Sequence, residues 1–272
     1  MVYWNAFKEL MEIPLYWLDV AQREIDAEAE EKRFYGPNWR QYYLLRPAAN
    51  RLHELCVVFL HGGGWQFGSP ESFRHHAQVF NQLGFDVILP SFRRLPNHHY
   101  GHMRKDIGLL MQSLLQEAAR PIIIGGVSAG GHLASLFASD VDLQEQAGWK
   151  QSWIKGVFTL CAPLTLEELP WPGLRKRLTA GGKAGLSEQA DPIRLVRQAL
   201  DIPFLCLHGQ KDGLVPSTSV IPYVEERVRL GAADRTHFHL FPDQGHLDLA
   251  RWALDNEKAR KLLLHWVGQL PP

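Results

Sequence analysis

The sequence is poor in the features that would set it apart from ordinary globular chains. Only three cysteines occur in 272 residues, widely spaced and with no C-x-x-C pair, so neither a disulfide framework nor a zinc ribbon is encoded. Cys56, Cys161 and Cys206 each sit inside an apolar run and read as buried thiols. Neither sign of charge is in excess, because 29 Lys and Arg balance 29 Asp and Glu. That balance leaves no basic field for a polyanion and argues against nucleic acid as a partner. Long hydrophobic runs are missing too: Leu55 to Leu60 and Pro121 to Ile124 fall far short of the ~18 residues that span a bilayer. Met1 to Asp19 carries Lys8, Glu9 and Glu12 among its apolar residues, unlike a secretory signal. The expectation is a retained N-terminus on a soluble, cytoplasmic protein. No 20 to 50 residue period and no low-complexity stretch divides the chain, which disfavours solenoids and loosely tethered domains.

The chain has instead an ordinary apolar share, 46% of residues, and a regular alternation of element type. Short β-branched and apolar runs occur at Tyr42 to Leu45, Leu55 to Leu60, Asp86 to Leu89, Pro121 to Ile124, Ile154 to Leu160, Ile202 to Leu207 and Thr236 to Phe241. Several lack polar alternation, as strands buried on both faces do. Between them, helical spacing is found at Phe73 to Leu83, Met103 to Ala118, His132 to Ser139, Thr218 to Leu230 and Leu247 to Val267. This alternation predicts one doubly wound α/β sheet, mostly parallel, with helices on both faces. Two stretches stand outside it. In residues 1–30, Trp4, Phe7, Leu10, Met11, Leu15 and Leu18 have the spacing of an amphipathic helix that must pack on something. Residues 165–191 are rich in Gly, Pro and charge and read as an insertion after a core strand, either a functional cap or a solvated connection.

The sharpest chemical signal is Gly126-Val127-Ser128-Ala129-Gly130, between an apolar strand and the helix opened by Gly131-His132-Leu133-Ala134. A serine on a sharp strand-to-helix turn needs small neighbours, and the turn leaves its hydroxyl exposed above the sheet. The Ala129 N–H, unpaired at the helix start, is placed to donate to an oxyanion. A phosphate loop is the competing reading, but no Lys-Ser or Lys-Thr follows the glycines. His61-Gly62-Gly63-Gly64-Trp65 ends an earlier strand, and Gly63 and Gly64 are its candidate oxyanion donors. Trp65 and Phe67 then form a candidate apolar wall for the substrate.

A serine hydroxyl needs a histidine base, itself oriented by a carboxylate. Both belong in loops beyond the C-terminal ends of later strands. There the sequence places Asp212, in His208-Gly209-Gln210-Lys211-Asp212-Gly213, and His246, in Asp243-Gln244-Gly245-His246-Leu247. Asp243 and Asp248 flank the histidine too closely to reach round the ring and read as turn or cap residues. His98, His99 and His102 lack an H-E-x-x-H context and read as surface histidines, so no metal site is expected.

These motifs resemble the α/β-hydrolase superfamily, within it the hormone-sensitive-lipase-like esterases and the kynurenine formamidase (arylformamidase) group. The resemblance rests on HGGGW at His61 to Trp65, GVSAGGHLA at Gly126 to Ala134, HGQKDGLVP at His208 to Pro216 and DQGHL at Asp243 to Leu247, and it covers roughly Leu44 to Val267. The esterase branch has a Tyr-Arg-Leu-Ala-Pro-Glu-like run where this chain reads Phe92-Arg93-Arg94-Leu95-Pro96-Asn97-His98, a partial match. The resemblance implies Ser128 as nucleophile, His246 as base, Asp212 as acid, and Gly63, Gly64 and Ala129 as oxyanion donors, with no cofactor. Three readings follow: a carboxylesterase for small to medium acyl groups, an arylformamidase acting on N-formylkynurenine-like substrates, or a non-enzymatic binding module on a hydrolase scaffold. The N-terminal helix and Trp171 of the insertion are each either a lid or ordinary core.

Overall fold

The runs Cys56–Leu60 and Ile122–Val127 carry no polar side chain, and every residue in them is buried. Such strands need cover on both faces, and they lie at the middle of an eight-stranded sheet. A computed structural model describes residues 2–22, 30–118, 120–183 and 185–271. The strands are β1 (Glu31–Phe34), β2 (Tyr42–Arg46), β3 (Cys56–Leu60), β4 (Asp86–Pro90), β5 (Ile122–Val127), β6 (Ile154–Leu160), β7 (Phe204–Gly209) and β8 (Thr236–Phe241). Their order is β1-β2-β4-β3-β5-β6-β7-β8. The β1–β2 and β2–β4 pairs are antiparallel, and all the others are parallel. All the anticipated strands form. The charged edge strand β1 lacks an apolar run and was not anticipated; its Glu31, Lys32 and Arg33 suit an edge that must not pair further.

Because side chains alternate along a strand, the sheet divides its core in two. One layer holds Val58, Leu60, Ile122 and Ile124 under helices α3 (Tyr100–Ala118) and α4 (Ala129–Ser139). The other holds Val57, Phe59, Ile123 and Phe158 under α2 (Arg74–Gln82), the closing helix Glu257–Gly268 and the N-terminal helix α1 (Val2–Gln22). Every residue of α4 is buried, as befits a helix apolar on all sides.

Two expectations are corrected. The anticipated helix from Leu247 to Val267 is two helices, His246–Ala250 and Glu257–Gly268. The second starts afresh where the Asn256 side chain caps the Ala259 N–H at 3.2 Å. The N-terminal helix forms, but Phe7, Leu10, Met11, Leu15 and Leu18 face outward. The face turned inward is Ala6, Glu9, Tyr16 and Val20, because small Ala6 lets the helix lie directly against the backbone of Gly213. The side chain of Trp4, Met1 and residues 23–29 of the 1–30 segment lie outside the described residues.

Phe59 on β3 is fully buried and meets His76, Phe158, Phe73 and Trp252 with ring centroids 4.8 to 6.2 Å away. Phe59→Ala is expected to cost about 3–5 kcal/mol, read as a lower denaturant midpoint at unchanged slope.

Candidate active site

The adjacent parallel strands β3 and β5 end side by side, with Leu60 paired to Gly126. Ser128 follows β5 in a left-handed conformation (φ 54, ψ −120) that costs a non-glycine residue about 1–3 kcal/mol. Its N–H donates to the Leu160 carbonyl at the end of the neighbouring strand β6 at 2.8 Å, and its carbonyl accepts from the His132 N–H at 3.0 Å. The turn closes only because its flanks are glycines. A Cβ at Gly126 or Gly130 would fall 2.2 or 2.0 Å from the Leu60 carbonyl oxygen.

The loop after β3 is held from three sides. The Gly63 carbonyl accepts from the Gln66 and Phe67 N–H groups at 3.0 and 2.8 Å, curling the chain, and Gly63 and Gly64 line one cavity with Ser128. The N–H groups of Gly63, Gly64 and Ala129 have no acceptor among the described residues. Trp65 donates its indole N–H to His132 Nδ1 at 3.3 Å, and the His132 Nε2–H in turn donates to the Ala190 carbonyl at 2.8 Å. Burial pushes His132 down to about 4, so this relay stays neutral. The run Phe92 to Leu95 forms the third brace. Leu95 N–H donates to the Trp65 carbonyl at 2.9 Å, Arg94 to the Gly68 carbonyl, and Phe92 stacks on His61 at 4.5 Å.

Asp212 and His246 come from the loops after β7 and β8 and meet at 2.8 Å, Oδ2 to Nδ1. The other Asp212 oxygen accepts from the Leu214 and Val215 N–H groups at 3.0 and 2.7 Å. Burial works to lower the His246 pKa, but the Asp212 carboxylate and the neighbouring Cys161 outweigh it, and the net shift is upward. Ser128 and His246 line the same cavity, although no hydrogen bond joins the Ser128 hydroxyl to the imidazole among the described residues. Asp243 pairs with Lys211 at the surface at 3.0 Å, and Asp248 caps the Gly245 N–H at 2.7 Å, so both stand apart from the Asp212–His246 pair.

Two buried groups beside His246 escaped the sequence reading. Cys161, just after β6, places its thiol within 4.8 Å of both the Asp212 oxygen and the His246 nitrogen; burial pushes its pKa up and His246 opposes that. Its position at the strand end next to the Ser128 turn was the available signal. Glu9 lies on the inward face of α1, where the spacing of Ala6, Tyr16 and Val20 marks a second apolar stripe. His98, His99 and His102, read from the sequence as surface histidines, are half-buried, and His102 lies in the first turn of α3.

The cavity above Ser128 measures about 500 Å³. Its walls are Leu10, Ile13 and Trp17 of α1, Trp65 and Phe67 of the loop after β3, and the stretch from Leu169 to Leu174. Trp65 is buried, whereas Phe67 is 65% exposed and stands at the rim. Within residues 165–191 the chain forms short helices at Leu166–Glu168, Pro172–Leu178 and Leu186–Gln189, and Trp171 is fixed by its indole N–H to the Leu214 carbonyl at 2.8 Å.

A family profile described as alpha/beta hydrolase fold matches residues 57–190. The chain is 27% identical over 241 residues to Esterase LipQ of Mycobacterium tuberculosis, covering 79% of this chain and 56% of that protein. It is 25% identical over 190 residues to versiconal hemiacetal acetate esterase of Aspergillus parasiticus, covering 68% and 56%. The chain thus spans little more than half the length of these relatives. In structure it is similar to Esterase B of Lactobacillus rhamnosis, with a TM-score of 0.73 at 20% identity over 98% of this chain and 94% of that one. No helix among the described residues is long and apolar enough to cross a membrane.

With Asp212 and burial pulling the His246 pKa in opposite directions, Asp212→Asn leaves burial unopposed by the carboxylate. The imidazole, titrated by NMR, is expected above the usual histidine range in the wild type and lower by more than about one pH unit in the variant.

Proposed function

We propose, on the footing that this chain is an α/β-hydrolase in fold, that it is a serine carboxylesterase for small to medium acyl groups. One observation carries the reading. Ser128, the His246 bonded to Asp212, and Gly63 and Gly64 with their acceptor-free N–H groups line one cavity, and the acceptor-free N–H of Ala129 directly follows Ser128. In this reading Ser128 Oγ attacks the ester carbonyl as His246 takes its proton, a side-chain rotation of Ser128 closing the gap to the ring. Asp212 holds the Nδ1–H tautomer and stabilises the imidazolium. Gly63, Gly64 and Ala129 donate to the oxyanion. The alkoxide leaves with the proton from His246, and water activated by the same imidazole hydrolyses the acyl-enzyme.

The mostly apolar cavity suits an acyl chain of modest length. Trp65 and Phe67 flank the reacting carbonyl, while α1 and the 165–191 stretch act as the cap that excludes water. The relatives described above are esterases, and Esterase B is also solved inhibited by a tributyrin phosphonate.

Hydrolysis of p-nitrophenyl acetate, butyrate and octanoate, with N-formylkynurenine alongside, tests this directly. Wild type is expected to cleave the short esters, and Ser128→Ala to lose at least about 10⁴-fold in kcat with its thermal midpoint retained. Cleavage of the formamide alone would replace the ester reading with an arylformamidase. Turnover of neither by folded wild type would leave a binding module.

A further inference from the structure

Glu9 is a carboxylate on the inward face of α1, and only 6% of the residue is exposed. Its two oxygens do different things. Oε2 accepts the Gly213 N–H at 2.8 Å, and Oε1 accepts the His246 N–H. Gly213 directly follows Asp212, so one carboxylate holds the main chain of both loops whose side chains meet at the 2.8 Å Asp212–His246 bond.

A second feature of the sequence matches this contact. The residues beside Asp212 and His246 that face α1 are both glycines, and neither has a positive φ, so backbone conformation does not demand them. Space does. A Cβ at Gly245 would lie 2.2 Å from Glu9 Oε1, and one at Gly213 would lie 2.2 Å from the Ala6 nitrogen. The two loops are bare where the helix lies on them. Asp19 further along α1 pairs with Arg251, just past the helix that His246 opens, at 3.0 Å. The same helix contributes Leu10, Ile13 and Trp17 to the cavity wall.

We propose that Glu9 is a positioning residue, whose carboxylate bridges the Gly213 and His246 main-chain N–H groups and thereby sets the Asp212–His246 pair, making α1 a working part of the site. The inference rests on the serine-hydrolase reading of that pair. Two N–H donors on one buried carboxylate are charge-assisted hydrogen bonds in a low-dielectric setting, the kind that fixes geometry. Burial and Asp212 raise the Glu9 pKa, while His246 and the two N–H groups lower it, and the net shift is upward. The ionisable groups around the ring are therefore Asp212, Cys161, His208 and Glu9, with Asp248 capping Gly245.

The test compares full-length wild type with Glu9→Gln and Glu9→Asp. The amide of Gln turns a donor toward one of the two N–H groups, and Asp keeps the charge but withdraws the oxygens by a methylene. On p-nitrophenyl butyrate both variants are expected to lose about 10–100-fold in kcat, the range for a misplacement near 1 Å, with KM within about twofold. The His246 midpoint, read by NMR without substrate, is expected to fall in Glu9→Gln and to stay nearer wild type in Glu9→Asp. Wild-type kcat and an unmoved His246 midpoint in both variants would overturn the proposal, whatever happens to the thermal midpoint. Should wild type cleave no ester, the function reading fails while the NMR arm still decides the bridge. A variant too unstable to assay leaves the other to decide it.

Discussion

The Leu60 carbonyl oxygen, at the end of β3, has two glycines pressed against it, Gly126 and Gly130, with room for no other residue. That close approach brings the loop after β3 and the turn after β5 to one point on the sheet edge, so Ser128, Gly63 and Gly64 line one cavity. The chain order places it there: β4 is added on one side of β3 and β5 on the other, and the crevice opens where the winding reverses. Strands β7 and β8 then deliver their loops to the same edge because they run parallel to β5.

At this edge burial and charge are opposed. A buried imidazole loses its proton easily, as His61 and His132 do, both pushed to about 4. His246 is buried too, yet it is shifted the other way because a carboxylate sits 2.8 Å from Nδ1. The two neutral histidines serve as fixed struts of the loop after β3, whereas at His246 the neighbouring carboxylate favours the protonated ring. Residue type alone does not separate these roles; the nearest carboxylate does.

Much of this was legible in the sequence because strands and tight turns leave local marks. The apolar runs, the glycine-flanked Ser128 and the acid- and histidine-bearing loops after the sixth and seventh anticipated strands all depend on neighbours a few residues away. The partial match at Phe92 to His98 gave no hint that Phe92, Arg94 and Leu95 would brace the loop after β3. What was hidden depends on long-range packing. Helix α1 carries two apolar stripes, and the inward one is seated, through Ala6 and Glu9, against the glycines at 213 and 245, more than 200 residues downstream of those contacts. Cys161 reads as one more core thiol until β6 is set beside β5. The break after Ala250 was masked by a stripe that continues across it.

The three cysteines are all buried, and burial lifts Cys56 to about 11 and Cys206 to about 12. Thiolate, the form that reacts with alkylating reagents, is therefore scarce in the folded chain, and all three residues are buried. Each sulfur sits at a different depth of the sheet: at the start of β3, just past β6, and midway along β7. The chain thus carries its own opening gauge. The order in which the sulfurs become labelled under mild denaturant would chart which part of the sheet lets go first.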